Sequence, residues 1–496
     1  MHPDPRPLDH LTLCGERTQA ALLGPGGSLS FAEFERDVGT LASWLSGHGF
    51  ASGARVASWL PKSRTAALLP LTTVRAGLVH VPINAALRRA QAAHILADSG
   101  ASLLVANAGR IASFEPADAG CPVVDEAELD HAGLEPLPPS GADPHALAAL
   151  LYTSGSTGRP KGVMLSSANL WLGADAVARY LGLGPGDRTV AVLPLAFDYG
   201  QNQLLAAWRA GSAVLPLDYL APRDVVSAVE TYGITTLAGV PPLWVQLAEA
   251  RWSAGARSSI RRITNSGGAM SKSMFQRLRA LFPHADIHLM YGLTEAFRST
   301  TLPPELADMH PWSIGRAIPH AEVLIVHADG GLADEGEPGE LVHAGPLVAG
   351  GYWNDAERTA ARFRPAPSAS RYGGTAVWSG DWAVREADGL LRFIGRDDEM
   401  IKTSGNRLSP QEIEEAALAC PGVHEAAAFG VPDPRLGQAI RLLVRGGQGA
   451  REALPARLKR DLPAWMQPAR IEWRDELPRG PNGKLDRARL KAELTV

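Results

Sequence analysis

The run LYTSGSTGRPKGVMLS, Leu151 to Ser166, follows the short apolar segment ALAAL and closes on a second apolar stretch. Gly155, Gly158 and Gly162 alternate with the hydroxyls of Thr153, Ser154, Ser156 and Thr157, and Arg159 and Lys161 add positive charge. A glycine-rich loop between two strands can turn several backbone N–H groups onto one anion, while hydroxyls and an ammonium supply further donors. Polyphosphate suits that donor set. The order Gly-x-x-x-x-Gly-Lys-Ser/Thr is missing, so this is not the common nucleotide P-loop. On composition alone, a polar surface turn is the alternative. Lysine usage adds weight to the phosphate reading: of seven lysines one is Lys161, one is Lys402 in another glycine-containing loop, and one is Lys484 in LPRGPNGKLDR.

Outward from this run the chain alternates helical and strand-like patterns. SLSFAEFERDVGTLASWLSGHG places Phe34, Val38, Leu41 and Leu45 on one helical face, and ARVASWLP, GLVHVPIN and SLLVAN follow as strands around AQAAHILADSG. After a proline-rich connection at 131–147 the rhythm resumes: DRTVAVLP, SAVLPLD and ITTLAGVPP read as strands, NQLLAAWRAG as a helix. Such alternation predicts an α/β fold with sheets covered on both faces. A length of 496 residues exceeds one ordinary core. The texture changes near residue 395, which predicts a large multi-layer N-terminal body with mixed sheets over 1–394, a hinge at 395–398 and a small, mobile α+β domain over 399–496. There Ser409 is placed to cap a helix, Pro410 to occupy its first turn and Glu412 to complete a capping box. Ile413, Ala417 and Cys420 then share one face. RPAPSASRYGGTA, 364–376, is expected to be a mobile loop.

The formal charge of −4 and the scattered arginines give no basic surface for a nucleic acid. Cys14, Cys121 and Cys420 lie far apart and form neither a metal spacing nor a disulfide framework. No signal peptide and no apolar run of membrane-spanning length is evident, so the expectation is a cytoplasmic protein.

The phosphate-loop run resembles the signature of the adenylate-forming (AMP-binding) superfamily, which comprises acyl-CoA synthetases, peptide-synthetase adenylation domains and luciferases. YGLTEA (291–296), SGD (379–381), GRDDEMIKTSGNRLSP (395–410) and PNGKLDR (481–487) follow in the family's order and extend the likeness over nearly the whole chain. The resemblance implies an ATP-dependent, AMP-forming acid–thiol ligase. A carboxylate attacks the α-phosphate to give an acyl-adenylate and pyrophosphate, and a thiol then displaces AMP. It also implies Mg2+ and, as acceptor, coenzyme A or the phosphopantetheine arm of a separate carrier protein.

By the same resemblance, Thr153, Ser154, Gly155, Ser156, Thr157, Gly158 and Lys161 wrap the β- and γ-phosphates, and Gly267, Gly268 and Ala269 lie along adenine. Tyr291 stacks on the base, Thr294 lies near the α-phosphate and Glu295 holds Mg2+. Asp381 receives the ribose hydroxyls and Arg396 reaches ribose or phosphate. Asp398 is the hinge residue. Lys484 bridges the substrate carboxylate and the phosphate, a task suited to a point charge with freely rotating donors. Rotation of the small domain withdraws Lys484 and presents Lys402 and its neighbours toward the thiol arm.

By the family's layout, the acyl pocket is lined by residues 197–203, 240–244 and 266–270, with Phe197, Asp198, Val240 and Trp244 as the substrate-binding residues. Phe197-Asp198 resembles the Phe-Asp of amino-acid-adenylating relatives, whose Asp accepts the substrate ammonium. An Asp beside an apolar pocket needs a cation or hydrogen bonds, supplied here either by a substrate amine or by backbone N–H groups or an arginine. Transfer to coenzyme A is the first reading. Adenylation of an amino acid for a separate carrier protein is the alternative, and a luciferase-like oxidase or a non-catalytic nucleotide-binding scaffold ranks below both.

Overall fold

A computed structural model describes residues 4–115, 118–154, 160–396, 399–403, 406–433, 436–481 and 483–495. The predicted first long helix runs from Phe31 to Ser46. Ser30 and Glu33 form a capping box at its start, and Phe34, Val38, Leu41 and Leu45 are buried on the expected face. Five strands lie side by side in parallel, in the order Val123–Asp125, Ala101–Ala106, Arg55–Trp59, Val79–Pro82 and Leu147–Ser154. Pro160–Ser166 pairs antiparallel with the last of them to complete a six-stranded sheet. The phosphate-loop run is therefore the connection of a hairpin at the edge of this sheet.

A second, 14-stranded sheet has a parallel half and an antiparallel half. Ala213–Pro216, Arg188–Ala191, Thr236–Gly239, Arg262–Asn265 and Asp286–Tyr291 run in parallel. Thr300–Leu302, Ser313–Ala317, Leu391–Arg396, Thr375–Arg385, Pro338–Ala344 and Glu322–Val326 continue it in antiparallel fashion. Between the two sheets lie helices Arg64–Arg75, Ser167–Tyr180 and Asp198–Arg209, each buried over most of its length. A helix covered on all sides has no polar face. This explains why Asp198–Arg209 begins four residues before the NQLLAAWRAG pattern: DYGQ carries no amphipathic signal, yet it forms the first turn. Gly200 is required in that turn because a Cβ there would lie 2.0 Å from the carbonyl oxygen of Pro194.

The small domain is a sheet of Asn406–Leu408, Ile401–Thr403, Gly437–Gly446 and Val423–Asp433, with Arg470–Trp473 parallel to Gly437–Gly446. Helix Pro410–Leu418 packs on it, and Ile413, Ala417 and Cys420 are buried as expected. The capping box is a correction. Ser409 accepts from the N–H of Gln411 at 3.2 Å, not from a reciprocal pair with Glu412, because its hydroxyl donates to the carbonyl of Ile394. Gly395 and Arg396 pair with Trp382 and Asp381 inside the large sheet, so these two residues of the expected hinge are strand. Asp398 lies outside the described residues. The 364–376 segment is closed by a ladder in which Phe363, Arg364 and Pro365 face Val377, Ala376 and Thr375. The Ser370 hydroxyl donates to Glu322 at 2.6 Å.

One close contact holds the middle of the body in place. Phe297 is fully buried with φ 52°, and its ring lies where a Cβ on Gly173 would come within 2.2 Å of Cδ1. Gly173→Ala is expected to lower stability by about 1–3 kcal/mol through overpacking, read as a lower urea midpoint at constant m-value. Gly184→Ala, which would meet nothing within 4 Å, should leave the midpoint unchanged.

Candidate active site

Four parallel strands ending at Ala191, Gly239, Asn265 and Tyr291 release their connections on one edge of the large sheet, where open α/β sheets bind ligands. Segments 192–198, 240–241, 266–270 and 292–298 meet there. The hairpin bearing Thr153 and Lys161, which pair across its two strands, approaches from the six-stranded sheet.

Lys161 reaches Glu295 across this junction. Its Nζ lies 3.2 Å from Oε1 of Glu295 and 2.6 Å from the hydroxyl of Tyr352, which itself donates to the same oxygen at 2.6 Å. Glu295 is 7 % exposed in the short turn Thr294–Ala296, which also buries Thr294. Burial raises its carboxyl pKa, but Lys161, the Tyr352 hydroxyl and Arg362 outweigh that and hold it below the usual range. Burial lowers the ammonium of Lys161, with Glu295 opposing. The hydroxyl of Thr153 is buried and has no partner among the described residues. Gly155, Ser156, Thr157 and Gly158 lie outside the described residues, as do the side chains of Ser154 and Lys402.

Asp381 is held from two sides. The phenol of Tyr291 donates to Oδ2, and Nε of Arg396 donates to Oδ1 at 3.0 Å. Burial and the adjacent carboxylate push the phenol pKa well above its ordinary value, so it stays a donor. The Tyr291 ring stacks on His343, 5.9 Å between centroids, with Phe393 tilted beside it at the same distance. Burial, aided by Arg362, brings His343 down to about 3, so it is neutral. Gly268 and Ala269 are exposed, leaving open backbone along the cleft.

Lys484 comes from the small domain and enters the same cleft. Its Nζ lies 4.8 Å from the centroid of the Phe197 ring. A Cβ on Gly267, which has φ +77°, would sit 2.8 Å from Cε of Lys484 and 3.5 Å from Val240. Asn84 of the large body donates to the carbonyl of Pro481 at 3.3 Å, fixing the loop that carries the lysine. Among the described residues Lys484 has no carboxylate within ion-pair distance. Burial lowers its pKa, and Asp198 partly opposes this from longer range. Asp198, 3 % exposed, stands in the first turn of helix Asp198–Arg209, where the helix dipole favours a negative charge.

Trp244 is fully buried, and its indole donates to Asn265, whose amide donates to the carbonyl of Gly268. It therefore acts through the 265–268 loop, as a support behind it. Sequence reasoning missed three residues that face the site. Tyr352 follows a glycine pair in GGYW, Arg362 closes the helix Ala356–Arg362, and Arg298 stands two residues beyond the YGLTEA hexapeptide. Position next to a motif was the one available signal for Arg298.

The AMP-binding enzyme family profile matches residues 14–353, and the profile of the AMP-binding enzyme C-terminal domain matches 412–484. The chain belongs to the AMP-binding enzyme family. It is 34 % identical over 493 residues to the sulfoacetate–CoA ligase of Cupriavidus necator, with 95 % of this chain and 94 % of that protein covered. It is 33 % identical over 488 residues to a feruloyl-CoA synthase of an Amycolatopsis species, with the same coverage. Its fold superposes on ATP-bound MatB from Rhodopseudomonas palustris with a TM-score of 0.89, at 26 % identity and 99 % coverage of both chains. The protein is an ATP-dependent, AMP-forming acid–thiol ligase of the acyl-CoA synthetase type.

Because the Lys484 stem occupies the space a side chain at 267 would need, Gly267→Ala should lower acid-dependent ATP–pyrophosphate exchange by at least about tenfold, the scale of a displaced charged donor. Thiolysis of a supplied acyl-adenylate should fall much less. Equal losses in the two assays would show that Gly267 is not clearing a path for the lysine.

Proposed function

We propose that the two half-reactions use the two sides of the cleft in turn, with Lys484 serving the first alone. An oxygen of the acid attacks the α-phosphorus of ATP, the bond to the β-phosphate breaks and pyrophosphate leaves. The sulfur of coenzyme A then attacks the acyl carbon, AMP departs and the thiol proton passes to solvent. The carrying observation is the ammonium of Lys484, half-buried beside Phe197 and Gly267 without an ion pair among the described residues. A charge left so poorly matched favours anions entering beside it, here the acid carboxylate and the α-phosphate.

Lys161, Thr153 and the loop between them receive the distal phosphates in this reading. Tyr291, Gly268 and Ala269 border adenine, and Asp381 with Arg396 positions the ribose. Among the described residues no cluster of three metal-ligating side chains exists, and Glu295 is a buried carboxylate with only one oxygen taken by Lys161 and Tyr352. That fits Mg2+, which is commonly held by one or two carboxylates together with substrate phosphates. When bound, the ion neutralises phosphate charge. The large body ends with the strand that carries Gly395 and Arg396, and the small domain pivots just after it, bringing Lys402 toward the pantetheine arm. The enzyme works in the cytoplasm, where its three free cysteines remain reduced, and no described helix is long and apolar enough to cross a membrane.

A second reading is an amine-bearing acid passed to a separate carrier protein. The observation favouring it is the burial of Asp198 with no side-chain hydrogen bond among the described residues. Asp198→Ala should then reduce selectivity for amine-bearing over amine-free acids, and unchanged selectivity would remove this contact.

Lys484→Ala is expected to lower ATP–pyrophosphate exchange by about 10²–10³-fold while thiolysis of a supplied acyl-adenylate persists. Parallel loss of both steps would end the two-state assignment. The lowered pKa of Lys484 also predicts a pH effect, since only the charged form bridges two anions. For adenylation, kcat/KM should decline as pH rises through a value below the ordinary lysine range. Lys484→Arg, which keeps its charge, should move that limb to higher pH.

A further inference from the structure

The two curated relatives above are named for different acids at nearly equal identity, so similarity does not choose the acid and the pocket must. Behind the 292–298 segment lies a cavity of about 30 Å3 between helices Ser167–Tyr180 and Asp198–Arg209 and the parallel strands. Its walls are largely apolar, including Val177, Leu181, Ala206 and Met290. Arg298 also lines it and is 3 % exposed.

The guanidinium of Arg298 is poorly satisfied for a buried charge. Nη1 donates to the Ser266 hydroxyl at 3.3 Å, and Cζ lies 4.4 Å from the centroid of the Tyr199 ring. Nε and Nη2 are buried without partners, and no carboxylate stands within ion-pair distance among the described residues. Tyr199 cannot supply an anion, because its hydroxyl bonds to Thr264 at 2.6 Å and burial holds its phenol well above the ordinary range. Asn202 and Gln203, which line the same cavity, have side-chain amides that are buried and unpartnered as well. An unpaired guanidinium flanked by free amide donors in an apolar wall is costly empty and well matched to one oxyanion.

We infer that Arg298, with Asn202 and Gln203, receives a second anionic group at the far end of the acid, so that the substrate is a short dianion whose distal group is a carboxylate or a sulfonate. The inference rests on the ligase reading and names its substrate class. The two cations are neighbours, since Arg298 acts electrostatically on Lys484, and the rings beneath them adjoin. Lys484 sits over Phe197 and Arg298 over Tyr199, and those ring centroids are 6.3 Å apart. The near carboxylate is activated beside Lys484 while the distal group remains bound to Arg298. The cavity has room for a small oxyanion and not for a long acyl chain.

The test compares short dicarboxylates and sulfocarboxylates with the monoamides of those dicarboxylates, which keep length and lose the distal charge. Two readouts are taken, ATP–pyrophosphate exchange and thermal stabilisation by the acid alone. The wild-type enzyme should prefer at least one dianion series over the monoamides by roughly 10- to 100-fold in kcat/KM, the scale of a charged hydrogen bond, mostly through KM. Arg298→Gln should erase that preference, and Arg298→Lys should retain part of it. The two dianion series distinguish a carboxylate from a sulfonate. Exchange in which the wild type favours the monoamides, or a preference unchanged in Arg298→Gln, overturns the inference and leaves the ligase intact. If neither the dianions nor the monoamides support exchange, the binding readout decides the inference: stabilisation by dianions over monoamides supports it and equal stabilisation overturns it, while the ligase reading falls only if acids of every other class fail as well. That wild-type comparison also decides the matter if the Arg298 variants do not fold.

Discussion

Positive charge is gathered in this cleft faster than the protein itself neutralises it. Lys161 is met by Glu295 and Arg396 by Asp381, but Lys484 and Arg298 have no ion pair among the described residues. Burying an ammonium or guanidinium is costly, and a distant carboxylate recovers only part of that cost. The compensations present are modest: Asp198 at longer range from Lys484, and the Phe197 and Tyr199 ring faces beneath the two cations. A cleft in this condition attracts anions before any specific contact is made. It also discriminates among them by where their charges fall, because the two unmatched cations stand over different rings.

The backbone explains how such groups come together from distant parts of the chain. Parallel strands in register deliver four connections to one sheet edge, and the hairpin of the other sheet supplies Lys161. Helices buried on all sides separate the sheets and give the cavity its apolar wall. Close approach then depends on a few glycines. Gly173 admits the ring of Phe297, just beyond Glu295, Gly200 admits the carbonyl of Pro194, and Gly267 leaves the corridor through which Lys484 passes.

Much of this was legible in the sequence, for physical reasons. Strands and the first long helix carry alternation or a 3.6-residue period, and the polar glycine-rich strings stand out because each is confined to a few consecutive residues. Tyr352, Arg362 and Arg298 were not legible. Tyr352 meets Lys161 because Val163 bridges to it across the edge of the six-stranded sheet, and no local pattern announces such a pairing. Arg298 looks like any arginine until its surroundings prove apolar. Ser409 illustrates the converse: its local sequence is that of a capping box, but a tertiary acceptor, the carbonyl of Ile394, claims its hydroxyl. The contact of Trp244 was not legible either, since the geometry that ties its indole to Asn265 depends on the close approach of Gly239 to the ring.

In the proposed cycle the two unmatched cations also differ in what happens to them when the small domain moves. Arg298 belongs to the large body and keeps its place, whereas Lys484 leaves with its loop. Withdrawal relieves the desolvation of an ammonium but takes from buried Asp198 the cation that faces it. The withdrawn state is therefore favoured once the acid carboxylate has become a neutral acyl group, for which Lys484 has less attraction, and once the opened space admits water or the amide donors of a pantetheine arm to Asp198. Before adenylation, two anions in the cleft hold the lysine in; after pyrophosphate has gone, part of that hold is lost. On that proposal the order of the two half-reactions follows from charge: the step that consumes the substrate's negative charge is also the step that loosens Lys484.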